Sequence, residues 1–318
     1  MPEAQLHVVF GAGQVGWYLA RDLLAHGARV RVVKRSPGDL PDGVETMLGD
    51  ATDPQFCEEA ARGAHVVYHC MNPEYDTRTW AQFLPRFLEN LIGATRREAA
   101  RLVVMENLYM VGRGGDRPID EETPMKPESR KGEIRARLAE QLFEAHERGD
   151  VRAVSGRASD YYGPRGVGTH FGGGFWRPAL DGKRAGFLPD ADTPHSYHYI
   201  PDVGRALSEL GRAGDDVLGR PWILPCAPAE PTRALIGRFE RVLKRPIELR
   251  GLPRPMVKLL GLFMPMLGEI GEMLHQWDAP FVVDDGRFRE RFGVTPTDPD
   301  VGAAATVAWA REEFGRAG

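Results

Sequence analysis

The chain reads as an α/β fold, a doubly wound parallel sheet followed by a smaller, mainly helical C-terminal lobe. Short apolar runs alternate with segments of helical period through about the first third of the sequence. A glycine-rich turn joins the first apolar run to the first helix, and from about Pro231 onward the pattern is mainly helical.

Leu6–Phe10 is a short apolar run ending in glycine, as in a strand buried on both faces. From Gln14 to Ala25, Val15, Leu19 and Leu23 recur at helical spacing, and Gly27 stops the helix. Val30–Val33 and Val44–Met47 read as the second and third strands, and Gln55–Arg62 as a short helix. His65–Cys70 is the fourth strand, Thr79–Ala100 a long helix kinked at Pro85, and Leu102–Met105 the fifth strand. In the helix Lys131–Arg148, Ile134, Leu138, Leu142 and Ala145 form an apolar seam. Val151–Val154 is the sixth strand. After Tyr162, the glycines around Pro164 and Gly172–Gly174 mark a loop-rich binding wall. Pro201–Leu210, Arg233–Leu243 and Leu259–Gln276 are the remaining helices. The expected division gives 1–165, with 195–225 returning to it, to a nucleotide-binding domain, and 166–194 with 226–318 to a substrate lobe.

The 318 residues carry 41 Lys and Arg against 45 Asp and Glu, a formal net charge of −4 with no basic block. That balance argues against nucleic acid as the principal partner. Hydrophobic residues at 42% and charged residues at 27% lie near globular averages, which excludes wholesale disorder. Cys57, Cys70 and Cys226 are too few for a disulfide framework, and no Cys or His cluster has zinc-ligand spacing, so no metal is expected. Met1-Pro-Glu-Ala-Gln5 lacks the basic-then-apolar form of a signal peptide. The apolar stretch Leu259–Leu267 is broken by Pro265 and is too short to span a bilayer. A cytoplasmic protein acting on a small molecule, without membrane contact, is the expectation, and a homodimer is left open.

Gly11-Ala-Gly13-Gln14-Val15-Gly16 supplies Gly-x-Gly-x-x-Gly between a strand and a helix, the context in which the pattern gains meaning. Gly11 permits the tight turn, Gly13 admits a pyrophosphate to the backbone, and Gly16 allows close helix–strand packing. The helix start at Gln14 and Val15 offers N–H groups and a partial positive charge to phosphates. At the end of the second strand an Asp or Glu would accept hydrogen bonds from a ribose 2′-OH. Lys34-Arg35-Ser36 stands there instead, and two cations with a hydroxyl suit a 2′-phosphate. NADP is the expected cofactor, with NAD the poorer fit.

Gly49-Asp50-Ala51, Val66–Met71, Arg157-Ala-Ser-Asp-Tyr-Tyr-Gly-Pro164 and His195-Ser-Tyr-His-Tyr-Ile-Pro-Asp-Val203 follow in order. With the glycine turn they resemble the extended short-chain dehydrogenase/reductase superfamily, the group of nucleotide-sugar epimerases and dehydratases. The resemblance spans nearly the whole chain and implies a Rossmann domain. It implies that Asp50 and Ala51 meet adenine and that Cys70 and Met71 pack beside the cofactor ribose. It also implies that the segment holding Ser159, Asp160 and Tyr161 passes the nicotinamide.

The catalytic pattern departs from that family, whose members carry a Ser after the fifth strand and Tyr-x-x-x-Lys on the next helix. Asn107 stands at the Ser position, and either Gly132 and Ala136 or Lys131 and Arg135 align with the Tyr and Lys. The usual acid is missing, as in the atypical members with a degenerate tetrad. Tyr109 is the candidate replacement: on an extension of the fifth strand it would share a face with Asn107. A phenol in water is protonated at neutral pH, which suits donation to a forming alkoxide. Lys131 is either its charged neighbour or a surface cation of the first helical turn. Asp160 is a second acid if burial raises its pKa.

His195 and His198, three apart in a strand, face opposite sides, so one of them, or Tyr197, lines the substrate pocket while the other is solvated. Tyr162, Phe171, Phe175, His195 and Tyr197 are the candidate substrate contacts. The apolar run from Leu259 is a packed lid helix, a roof over an apolar substrate, or a subunit contact. The expected activity is NADPH-dependent reduction of a carbonyl or conjugated carbonyl on a moderately apolar small molecule. Asn107 would orient the oxygen and Tyr109 protonate it. Two alternatives are a nucleotide-sugar epimerase or dehydratase and a non-catalytic NADP-binding redox sensor.

Overall fold

The apolar runs assemble into one seven-stranded parallel sheet in the computed structural model, which describes residues 4–187 and 190–315. Met1-Pro-Glu3 of the N-terminal reading lies outside the described residues. In chain order the first strands are β1 (Leu6–Phe10), β2 (Arg29–Lys34), β3 (Glu45–Leu48), β4 (Val66–His69), β5 (Arg101–Asn107) and β6 (Arg152–Ala158). Short strands follow: β7 (Asp160–Tyr162), β8 (Ala185–Gly186), β9 (Pro194–His195), β10 (Tyr197–Tyr199), β11 (Pro221–Ile223), β12 (Glu230–Pro231) and β13 (Leu249–Arg250). The helices are α1 (Gln14–Ala25), α2 (Pro54–Ala61), α3 (Thr77–Glu98), α4 (Arg130–Glu147), α5 (Gly173–Leu180) and α6 (Ile200–Arg212). The rest are α7 (Thr232–Leu243), α8 (Arg254–Gly261), α9 (Pro265–Gly271), α10 (Gly286–Phe292) and α11 (Pro299–Phe314).

The sheet order is β11-β6-β5-β4-β1-β2-β3. The order reverses between β1 and β4, where open sheets of this kind bind ligands at their carboxyl ends. The strands are apolar because helices cover both faces: all five residues of β1 and all four of β4 are buried. Val8, Phe10, Trp80, Leu84, Leu91, Leu102, Leu138 and Leu142 belong to the core of this unit. Asp53 caps α2 through the Gln55 N–H at 2.9 Å, ahead of Pro54. Helix α3 continues through Pro85.

The chain divides into two units. The first comprises Met1–Met110, Arg130–Ala158 and Val203–Leu224; the second comprises Val111–Ser129, Ser159–Asp202 and Pro225–Gly318. The expected boundary at 165 thus falls after Ala158, the excursion 111–129 belongs to the second unit, and 195–202 does not return to the first. The two units are also close to equal in length, so the second is not the smaller lobe that the sequence suggests.

The second unit has its own aromatic core, in which Phe171, Phe175, Trp176, Phe239 and Phe314 pack with Ala303 and Val307. Helices α5 and α11 supply much of it, and neither is foreseen from the sequence. The run expected as one helix, Leu259–Gln276, is instead α8, α9 and a 3-10 turn at Leu274–Trp277, because Pro265 starts a new helix.

Candidate active site

The turn after β1 is shaped by its glycines. Gly11 adopts φ +92°, a conformation an L side chain rarely takes, and a Cβ there would lie 2.9 Å from Met71 Cγ. A Cβ on Gly16 would collide with the Gly11 carbonyl, so helix α1 can start this close only without one. At Gly13 an added Cβ meets no atom within 4 Å, which leaves that side of the turn open. Helix α1 has no side-chain cap and no acidic residue in its first turn, so nothing competes with an anion for its N-terminus. The cradle fits the diphosphate of a dinucleotide. Cys70 and Met71 directly follow β4, and burial pushes the Cys70 thiol up to about 12, which removes thiolate chemistry there.

Lys34 closes β2, with Arg35 and Ser36 exposed in the bend beyond it. A Cβ on Gly38 would lie 2.8 Å from Lys34 Nζ, so this ammonium reaches over Gly38. The Gly49 N–H donates to the Lys34 carbonyl at 3.1 Å, which brings the Gly49-Asp50 turn beside the basic pair. The carboxylate of Asp50 accepts from the Thr52 N–H at 2.9 Å, and Ala51 is buried with its carbonyl accepting from Asn90 Nδ2 at 3.0 Å.

The degenerate catalytic positions converge. Strand β5 ends at Asn107 and the chain tightens at once into a 3-10 turn, Tyr109–Val111, so there is no strand extension to align Asn107 with Tyr109. The Asn107 amide oxygen instead accepts from the Tyr109 N–H at 3.3 Å and caps that turn. Tyr109 Oη lies 3.2 Å from Tyr75 Oη, a residue the sequence gives no reason to single out. Lys131, on the first turn of α4, is fully buried rather than a surface cation, with Nζ 4.6 Å from the centroid of the Tyr75 ring. One turn on, the Arg135 guanidinium lies 4.6 Å over Trp80 and donates to Asn72 Oδ1 at 2.8 Å. Trp80 stacks on Tyr109 and meets Tyr75 edge-on. Two half-buried phenols and a guanidinium therefore surround one indole, and a buried ammonium faces one of the two phenols.

In the second unit Asp160 is the hub of another polar cluster. Its Oδ2 lies 2.8 Å from His195 Nε2, and its Oδ1 lies 3.6 Å from His170 Nε2. Burial pushes the carboxyl up, but the His195 hydrogen bond and the charges of His195, His170 and His198 outweigh it, so the net shift is downward. Asp160 is thus held as a carboxylate, not as the raised-pKa acid expected from burial. His195 stacks on Trp277, centroids 4.4 Å apart, and His198 Nδ1 accepts from the Ser159 N–H at 3.1 Å. Both imidazoles are buried, so neither is the solvated member of the pair. No group of three metal-ligating side chains is arranged to hold an ion among the described residues.

The aromatic substrate contacts expected from sequence are packing residues here. Phe171 and Phe175 are each 1% exposed within the second unit's core, and Tyr197 donates to or accepts from Thr232 Oγ1 at 3.0 Å. Tyr162, His195 and Tyr197 line a small cavity with Glu230, Leu235 and Pro299. Conversely, Leu259, Leu262, Phe263 and Met264 are exposed, so the run from Leu259 is not the packed lid helix that was one of its three expected roles. Among the described residues no helix is long and apolar enough to cross a membrane.

A family model described as the NAD dependent epimerase/dehydratase family matches residues 7–220. No curated protein matches the chain in sequence. Among solved structures, the chain is similar to UDP-glucuronic acid 4-epimerase from Bacillus cereus in complex with NAD. The TM-score is 0.79 at 14% identity, covering 98% of this chain and 100% of that one. It is similar to Thermus thermophilus UDP-glucose 4-epimerase complexed with NAD, with TM-score 0.76 and 19% identity over 97% of this chain and 100% of that one. For dTDP-glucose 4,6-dehydratase from Bacillus anthracis in complex with NAD the TM-score is 0.78 at 16% identity, over 98% and 97%. At these identities the likeness is one of fold.

Proposed function

The chain belongs to the NAD dependent epimerase/dehydratase family, and from that premise we propose that it is a nicotinamide dinucleotide-dependent enzyme of this kind. Its reaction would pass through an alcohol–carbonyl pair on a nucleotide-linked sugar. The observation that supports the enzymatic reading is the convergence of Tyr109, Tyr75 and Lys131 beyond the carboxyl ends of β4 and β5. Solved structures of the same fold that bind NAD and act on UDP- or dTDP-sugars support the substrate class. The bound dinucleotide would supply and take back hydride. The chain's own residues would hold it: Gly11, Gly13 and Gly16 with the N-terminus of α1 at the diphosphate, and Lys34, Arg35 and Ser36 at the adenosine ribose. Asp50 and Ala51 would flank adenine, and Cys70 and Met71 the ribose beneath.

One observation favours a second reading. Lys34 and Arg35 stand where a ribose hydroxyl would call for a carboxylate, and they suit the extra phosphate of NADP. An enzyme that releases NADP each turnover would reduce the carbonyl of a free small molecule rather than rearrange a sugar. Both readings share the same proton site.

Incubating the purified protein with a panel of UDP- and dTDP-sugars, and separately with NADPH and a panel of aldehydes and ketones, distinguishes them. A new sugar nucleotide formed without net cofactor consumption supports the first reading. Stoichiometric NADPH oxidation supports the second. Dinucleotide binding without either product overturns the enzymatic assignment in favour of a redox sensor.

A further inference from the structure

Helix α4 places a fully buried lysine against a tyrosine from a different part of the chain. Tyr75 comes from the segment after β4, Tyr109 from the turn after β5, and these strands are neighbours in the sheet. Adjacent parallel strands end on the same edge, so their following loops meet there. Their two hydroxyls are 3.2 Å apart, within reach for one phenol to donate to the other. Lys131 Nζ faces the Tyr75 ring, and Arg135 is held one turn further on by Trp80 and Asn72.

We propose that Tyr75 and Tyr109 form a two-phenol proton relay, served by the Lys131 ammonium, in place of a single Tyr-x-x-x-Lys on α4. The proposal rests on the enzymatic reading above and adds Tyr75 as a residue of its proton path. In the reducing direction a bound dinucleotide would supply the hydride that the carbonyl carbon takes up. The Tyr109 O–H breaks as the alcohol O–H forms. Tyr75 then passes its proton across the short gap to Tyr109, and solvent restores it. The negative charge left after proton transfer thus moves to the phenol that Lys131 faces, where a cation stabilises it most. Oxidation runs the same transfers backwards. Among the charged groups near this pair are Lys131, over the Tyr75 ring, and Arg135, over the Trp80 that stacks on Tyr109; His69 on β4 is held neutral by burial and by Arg135.

The test needs no substrate. Of the eight tyrosines, burial drives Tyr68, Tyr162 and Tyr197 far upward, and among the remaining five the Tyr→Phe variants assign the lowest phenolate step. The full-length protein is titrated by tyrosinate ultraviolet absorbance, alone and saturated with NADP⁺, for wild type, Lys131→Met, Tyr75→Phe and Tyr109→Phe. The lowest phenolate step should disappear in Tyr75→Phe and move up by roughly one pH unit or more in Lys131→Met. Tyr75→Phe keeps the ring that faces Lys131, so it carries the test alone if Lys131→Met does not fold. The same lowest step in wild type, Tyr75→Phe and Lys131→Met would overturn the relay. Calorimetry with NADPH and NADH runs alongside. Absence of binding would overturn the dinucleotide reading while leaving the titration unaffected, so the two failures are distinguishable.

Discussion

Glu106 and Arg157 sit opposite each other in register on β5 and β6, and both side chains are buried. Arg157 Nε donates to Glu106 Oε2 at 2.9 Å and Ser155 Oγ donates to the same oxygen at 2.7 Å, so the carboxylate's charge is met by a cation and a hydroxyl. Removing one member of a buried pair strands the other without solvent. Glu106→Ala is therefore expected to lower unfolding free energy by about 3–5 kcal/mol, read from denaturant midpoints. Glu106→Gln, which keeps one acceptor, should cost less. Arg35 calls for a different measurement because it is exposed beyond β2. If it grips a 2′-phosphate, Arg35→Ala should weaken NADPH binding roughly ten- to a hundredfold and leave NADH nearly unchanged, by fluorescence titration. Equal losses for both nucleotides would assign Arg35 a general role. The glycine turn and this basic pair were legible because each is a short contiguous string. Tyr75 was not, because it meets Tyr109 across 34 residues, and only the order of β4 and β5 joins them.

Glycines inside helices separate packing from propensity. Gly204 lies in α6, and a Cβ there would fall 2.7 Å from Tyr18 Cβ and 2.8 Å from the Leu19 backbone nitrogen of α1. The backbone cannot yield cheaply, so Gly204→Ala is expected to destabilise by about 1–3 kcal/mol despite alanine's better helix propensity. Gly237 in α7 is the opposite case, since an added Cβ meets nothing within 4 Å. There propensity alone acts, and Gly237→Ala should stabilise by about 0.5–1 kcal/mol. Thermal melts of the two variants check both signs. The same competition explains which elements the sequence showed. Strands β1 to β6 and helices α1 to α4 carry clear periodicity and appear within a few residues of their expected limits. Helix α5 begins with glycines and contains Pro178, so only the packing of Phe175 and Trp176 makes it a helix. Helix α11 carries a cap signal, Asp298 before Pro299, with Asp298 Oδ1 accepting from the Asp300 N–H at 2.8 Å. Its small-residue face hides the apolar period.

At the scale of the whole chain, buried titratable groups set the pH range of stability. The division into two units that each draw on three chain segments was not legible, because periodicity reports local structure and not which segments pack together. The same burial that closes those cores leaves imidazoles without water. His7 is lowered from 6.5 to about 4, chiefly by desolvation, and is bonded through Nδ1 to Tyr68 Oη at 2.9 Å. Desolvation and Arg135 lower His69 further, to about 3. Between those values and 6.5 the unfolded chain binds protons that the folded chain refuses. Stability is therefore full above about 6.5 and is lost as pH falls towards 4, by about 1.4 kcal/mol per pH unit for each imidazole. Asp160, Asp215 and Asp300 are shifted down, and their contribution fades only below the ordinary carboxylate range, which steepens the acid limb there. At the alkaline end burial lifts the Cys57 and Cys70 thiols from 9 to about 12, so the unfolded chain releases protons first and stability falls above about 9. Denaturant midpoints measured from pH 4 to 10 should thus show a plateau between about 6.5 and 9 with a sloping acid limb. His7→Asn is expected to be less stable at neutral pH and to flatten that limb by about 1.4 kcal/mol per pH unit. An acid limb of unchanged slope in the variant would remove His7 as its source and leave His69 to account for it.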